Sequence, residues 1–210
     1  MKLQMQRSAS LISTLVAREL LMTLQSYSDS TALSALLHPK LGLSTLPLSS
    51  AVTAECALPQ GYALGQDNGQ VSVFLPPCGK SVLVFEDEVI VALVSFDDFL
   101  LVFAENRFAE IDLKSMEVEE GGKLEGTATA AAPAFGEKKV LIGFTEGPIL
   151  EYKYLEDDSL QKDATSYEVP GEVRIIQTVA GQNWFLACCF DGNDHYLVWR
   201  YGNTRPALHV

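Results

Sequence analysis

The chain has only three histidines in 210 residues, His38, His195 and His209, which leaves little from which to build an acid–base or metal centre. Its four cysteines, Cys56, Cys78, Cys188 and Cys189, have no CxxC spacing. Cys188 and Cys189 are adjacent in an apolar run, so as strand residues they point to opposite faces and cannot easily share a metal. They read as buried free thiols in a reducing compartment, and the lack of any Asn-x-Ser/Thr sequon agrees with that. No hydrophobic stretch approaches the roughly 20 residues that a membrane-spanning helix needs, so no membrane insertion is expected. Basic residues are few: 15 Lys and Arg against 27 Asp and Glu give a net charge of −12. Direct nucleic-acid binding needs a basic footprint to displace counterions, and this balance argues against it.

Catalytic motifs are also missing. There is no P-loop, no GxSxG elbow, no HExxH and no glycine-rich dinucleotide fingerprint, so no catalytic, cofactor or metal residue is assigned. Asp191, Asn193, Asp194 and His195 alternate loosely like a calcium loop. They lack the bidentate glutamate such a loop ends on, and Asp-Gly-Asn-Asp is what a hairpin turn looks like. Asp97 and Asp98 are adjacent carboxylates, which by themselves make no acid–base couple.

What the chain does have is a repeat. Tyr62–Leu64 runs into the turn Gln66-Asp67-Asn68-Gly69 and resumes with Val71, Val73 and Phe74. Leu141 and Ile142 lead through Thr145-Glu146-Gly147 to Ile149, Leu150 and Tyr152. Gly147 follows Gly69 by 147 − 69 = 78 positions, as Gly143 follows Gly65. Half of that is 39, about the length of a four-stranded propeller blade. A weaker copy surrounds Asn106, and a fourth turns at Asp191-Gly192-Asn193-Asp194 between two apolar runs. Val89–Val94, Thr127–Ala132 and Val173–Val179 supply inner strands, and Ser81–Phe85 an outer one. Each such sheet has a face that only another sheet can cover, so the units must stack.

The period and hairpin pattern over residues 50–201 resemble the WD-repeat and related β-propeller families. Of the family's Trp-Asp and Gly-His pairs, the nearest match here is Trp199-Arg200, and no Gly-His pair is present. The expectation is a mostly β, propeller-like fold of about four blades over residues 50–210. Because a ring of blades usually closes by pairing a terminal strand with the far blade, and no fourth strand is evident after Tyr201, a partial ring or fragment is expected rather than a closed four-bladed one. Trp184 and Trp199 read as core, although Trp199 with Arg200 beside it could instead stack on a partner.

Residues 1–49 read as a separate helical extension followed by a linker. Leu11, Ile12, Leu15, Val16, Leu20, Leu21 and Leu24 recur at helical spacing behind a Ser10 cap, with Arg18 off the stripe. A second short helix is expected over Thr31–Leu37, ended by Pro39. Three readings of the first helix stay open: a structural helix packed on a blade edge, a partner-binding helix presenting Leu11, Leu15 and Arg18, or a mitochondrial leader.

The WD-repeat resemblance implies a non-catalytic scaffold that binds other protein subunits of a larger complex, within the nucleus or cytoplasm. The alternative is a propeller-type enzyme with an active site in the central channel, for which scarce histidine is a poor start. Acidic runs at Glu86–Glu88, Glu117–Glu120 and Glu156–Asp158 are expected on solvated blade rims.

Overall fold

The computed structural model describes Leu48 and residues 50–75, 78–178 and 182–210. The expected N-terminal helices, with Leu11, Leu15 and Arg18, lie outside the described residues.

Among the described residues sixteen strands form four sheets of four, and in each sheet the strands lie side by side in chain order. Blade I contains β1 (Val52–Leu58), β2 (Gly61–Gln66), β3 (Gln70–Leu75) and β4 (Cys78–Leu83). Blade II contains β5 (Ala92–Ser95), β6 (Phe99–Phe103), β7 (Arg107–Asp112) and β8 (Val118–Lys123). Blade III contains β9 (Ala128–Pro133), β10 (Lys139–Phe144), β11 (Ile149–Tyr154) and β12 (Leu160–Tyr167). Blade IV contains β13 (Glu172–Thr178), β14 (Trp184–Phe190), β15 (Asp194–Arg200) and β16 (Leu208–His209). All neighbours are antiparallel, as short hairpins require. Blade IV therefore does have a fourth strand. It is two residues long, and no apolar run announced it.

The turn glycines hold the hairpins. Gly69, Gly147 and Gly192 have φ of 78°, 90° and 117°, a region that side chains with a Cβ resist. Gly69 does more than turn, because its carbonyl accepts from the amides of Val84 (3.0 Å) and Phe85 (3.2 Å) and so ties the end of blade I to its hairpin.

Apolar side chains seal the blades against one another in three cores. Val71, Val73, Ile90, Leu93 and Leu100 are among those joining blades I and II. Phe103, Phe108, Val140 and Ile142 join II and III, and Leu141, Ile149, Val173 and Trp199 join III and IV. The innermost strands touch in sequence, β1 on β5, β5 on β9 and β9 on β13. This is a four-bladed β-propeller arrangement. Among the described residues no comparable core joins blade IV back to blade I, so the blades form an arc with two terminal faces.

The 78-residue spacing has a physical basis at the joints. The residues opposite Ala54, Ala92, Ala130 and Ile175 of the inner strands are Gly65, Phe103, Gly143 and Cys188, and each faces onward along the arc. A Cβ on Gly65 would come within 2.5 Å of the Ile90 side chain, and one on Gly143 within 2.4 Å of Val173. At the middle joint the sizes are exchanged: Phe103 shares its core with Ala128. Inner-strand bulges at Thr53 and Thr129 add a second tie, each threonine hydroxyl donating to a carbonyl of the next blade, Ile90 (2.6 Å) and Val173 respectively.

Gly143→Ala is thus expected to cost about 1–2 kcal/mol by overpacking. Adding Val173→Ala should remove much of that penalty, giving a coupling of about 1 kcal/mol in a double-mutant cycle read by urea denaturation. Strictly additive effects would mean that Gly143 is not there to make room for Val173.

Candidate interaction surface

Register in blade IV separates two faces. Phe185, Ala187, Cys189, Leu197 and Trp199 point into the core shared with blade III. Their alternates point the other way. Trp184 pairs with Arg200, Leu186 with Gln177 and Val198, Cys188 with Ile175 and Tyr196, Phe190 with Asp194, and Val198 with Leu208. The middle of this outer face is apolar, and no described blade packs on it. Trp184 is 40% exposed, Tyr196 48% and Leu208 55%. Apolar patches of this kind are a feature that interaction sites share.

The ends of the face are charged. Near the β14–β15 turn the Arg174 guanidinium lies 3.7 Å from the centre of the Phe190 ring, within 3.7 Å of Asp194 and 3.8 Å of Glu172. At the other end stands Arg200, exposed. The outer edge is held by β16: the Tyr196 amide donates to the Val210 carbonyl (2.9 Å) and the Val210 amide donates back (3.0 Å).

Blade I presents the opposite situation. Leu64, Gln66, Ser72 and Phe74 face away from blade II, yet all four are buried. The Gln66 side-chain amide donates to the Ser72 hydroxyl (3.1 Å), and its oxygen accepts from the Ser50 amide (3.0 Å). The chain thus enters β1 along this face.

No protein-family model matches the chain, and no curated protein matches it. Solved structures do. The computationally designed Ika4 protein superposes with a TM-score of 0.56 at 22% identity, over 76% of this chain and 97% of that one. The computationally designed Ika8 protein gives 0.54 at 21% identity, over 78% of this chain and 50% of that one. Hydrazine synthase of Kuenenia stuttgartiensis gives 0.62 at 9% identity, over 79% and 51%. What is shared is the fold. The chain spans nearly all of the first and about half of the other two.

Of the residues singled out from sequence, Trp199 is fully buried, stacked on Phe185 with ring centroids 5.2 Å apart. It cannot meet a partner, because blade III covers it. Arg200, one residue on, points to the opposite face and is exposed, so the structure separates the two. Trp184, expected in the core, lies on the open face instead.

The polar clusters resolve into structural roles. Asp191 accepts from the Asn193 amide (3.2 Å) within its turn and also meets His195 Nε2 (2.9 Å), which holds its carboxyl below the usual range. His195 Nδ1 lies 3.0 Å from His209 Nε2. Asp191 and His209 therefore occupy opposite nitrogens of one ring and cannot converge on an ion. Among the described residues no three His, Cys, Asp or Glu side chains are placed to hold a metal. Burial pushes the Cys189 thiol up to about 11, with Cys188 beside it adding to the shift. Cys56, Cys188 and Cys189 are free thiols.

The acidic runs are only partly solvated rims. Glu88 accepts two hydrogen bonds from Arg107 (2.6 and 3.2 Å), and Asp158 accepts one from Tyr154 (3.0 Å). The Tyr154 hydroxyl, with one proton to share, also lies against Glu110, whose carboxyl burial raises above its ordinary value. Glu151 is buried between Lys139 (2.7 Å) and the Tyr167 hydroxyl (3.2 Å), and the hydrogen bonds that Lys139 makes to Glu151 and to Asp163 (2.9 Å) hold its ammonium strongly in the charged form.

A cleft of about 650 Å³ opens where the inner strands of blades I to III end, lined by Pro59, Ser95, Asp97, Asp98, Phe99 and Lys138 among others. Asp98 pairs with Lys114 at 2.7 Å, and Lys138 lies over the Phe99 ring. Both aspartates are exposed, and the lining residues include no histidine or cysteine. Among the described residues no helix is long and apolar enough to cross a membrane.

Proposed function

We propose that the protein is a non-catalytic scaffold subunit that holds protein subunits together in a larger complex, with the outer face of blade IV as its docking surface. The observation that carries this reading is the apolar centre of that face, Leu186, Tyr196, Val198 and Leu208, in a fold that seals its other three blade interfaces. Burying such side chains yields about 25 cal/mol per Å² of apolar surface, a drive that a partner can supply. The WD-repeat resemblance supports the same role, as does the exposed acid of the rims, which would attract basic partner surfaces. Nucleus or cytoplasm is the setting that fits free thiols.

The test is the native mass of the protein in extracts of the cells that make it. The unaltered chain should run in an assembly larger than a single chain. The variant Tyr196→Lys/Leu208→Lys should fall to single-chain size with its circular dichroism unchanged. A single chain in both cases would overturn the reading, and so would turnover of a small substrate in the cleft at the ends of the inner strands.

A further inference from the structure

We infer that the occupant of the blade IV face is a second copy of the same chain, packed blade IV on blade IV about a twofold axis running across the strands. This rests on the reading of that face as a docking surface and adds its partner.

Charge complementarity carries the inference. Outward-facing residues of β15 run Asp194, Tyr196, Val198, Arg200, so the strand is acidic at one end, apolar in the middle and basic at the other. The acidic end also has Glu172 against a single Arg174, a surplus of one negative charge that Arg200 balances at the far end. Laid face to face with strands reversed, Asp194 of each copy meets Arg200 of the other, and Tyr196 and Val198 meet over the axis. Sheets pack this way at about 10 Å separation. A face complementary to itself is what an isologous interface requires, and it closes at two copies.

The other terminal face offers no competing arrangement. Leu64, Gln66, Ser72 and Phe74 of blade I are already buried, so a head-to-tail stack of blade IV on the next copy's blade I would have to uncover them first.

Size sets the strength. Three strands of seven residues, edged by the two-residue β16, make a footprint of about 23 by 14 to 19 Å. That is at the small end of specific interfaces, so the dimer should dissociate on dilution.

Sedimentation equilibrium of the purified full chain, over a wide concentration range, tests this. The expected result is a reversible monomer–dimer equilibrium. Arg200→Glu and Asp194→Lys, both at exposed positions, should each weaken it about tenfold, since like charges then meet across the axis. The double variant, which restores opposite charges, should recover most of the loss. Leu208→Lys should weaken the dimer without involving either charge. A monomer at every concentration, species larger than a dimer, or a double variant no tighter than the singles would overturn the inference. A purified monomer from a chain that still forms an assembly in cells removes the second copy and leaves the scaffold reading standing.

Discussion

Replacing Gly69 with alanine lowers the stability of the chain by about 3 kcal/mol or more, whereas the same change at Gly147 costs about 1–2 kcal/mol, although both glycines turn equivalent hairpins. Both have positive φ, and a Cβ in that region carries about 1–2 kcal/mol of strain. The difference is what lies beyond. Around Gly147 nothing stands within 4 Å of the Cβ position, so strain is the whole cost. At Gly69 the new carbon would sit 1.6 Å from the Phe85 carbonyl oxygen. That is main chain, which no rotamer change can move aside. Relief requires the turn to shift away from Val84 and Phe85, whose amides then lose the Gly69 carbonyl at about 1 kcal/mol each. Urea denaturation of the two variants beside the unaltered chain checks this, and equal losses would refute it.

Trp199→Ala is expected to cost about 3–5 kcal/mol and Trp184→Ala less than about 1 kcal/mol. Trp199 fills the core between blades III and IV, stacked on Phe185 and edge-on to Tyr167. Its removal leaves a cavity flanked by rigid rings that cannot collapse. Its indole N–H has no hydrogen-bond partner, so Trp199→Phe, which keeps the stack, should recover most of the loss. Trp184 lies on the open face, where truncation opens no cavity. Denaturation midpoints of the three variants in dilute protein decide the matter. Similar losses at both tryptophans would mean that the open face is as tightly packed as the core.

These two tryptophans also show where sequence was readable and where it was not. The blades were legible because turn glycines and alternating apolar residues are local signals, and the 78-residue interval between Gly65 and Gly143 marked a real joint. The inner strands expected at Thr127–Ala132 and Val173–Val179 correspond to β9 and β13 within a residue or two. The open face was not legible. β14 reads Trp-Phe-Leu-Ala-Cys-Cys-Phe, apolar on both sides, and such a strand looks the same whether both faces are covered or only one. What distinguishes Trp184 from Phe185 is the presence of blade III on one side of the sheet, a non-local fact. β16 escaped for another reason. Two residues after Pro206 carry no periodicity, and the strand exists because the exposed edge of β15 offers Tyr196 and Val198 as hydrogen-bonding partners. Asp97 and Asp98, which the sequence showed only as adjacent carboxylates, prove to line the cleft at the ends of the inner strands, and the spatial neighbours that form it are non-local.

The exchange of sizes at successive joints limits how such an arc could be shortened. Excising blade II alone would set Gly65 against Ala128, two small groups with a void between them. Excising blade III alone would drive Phe103 into Val173, a collision. Taking out both leaves Gly65 facing Val173, a pairing of the same kind as the one it has now with Ile90. The unit that can be gained or lost without repacking is therefore a pair of blades.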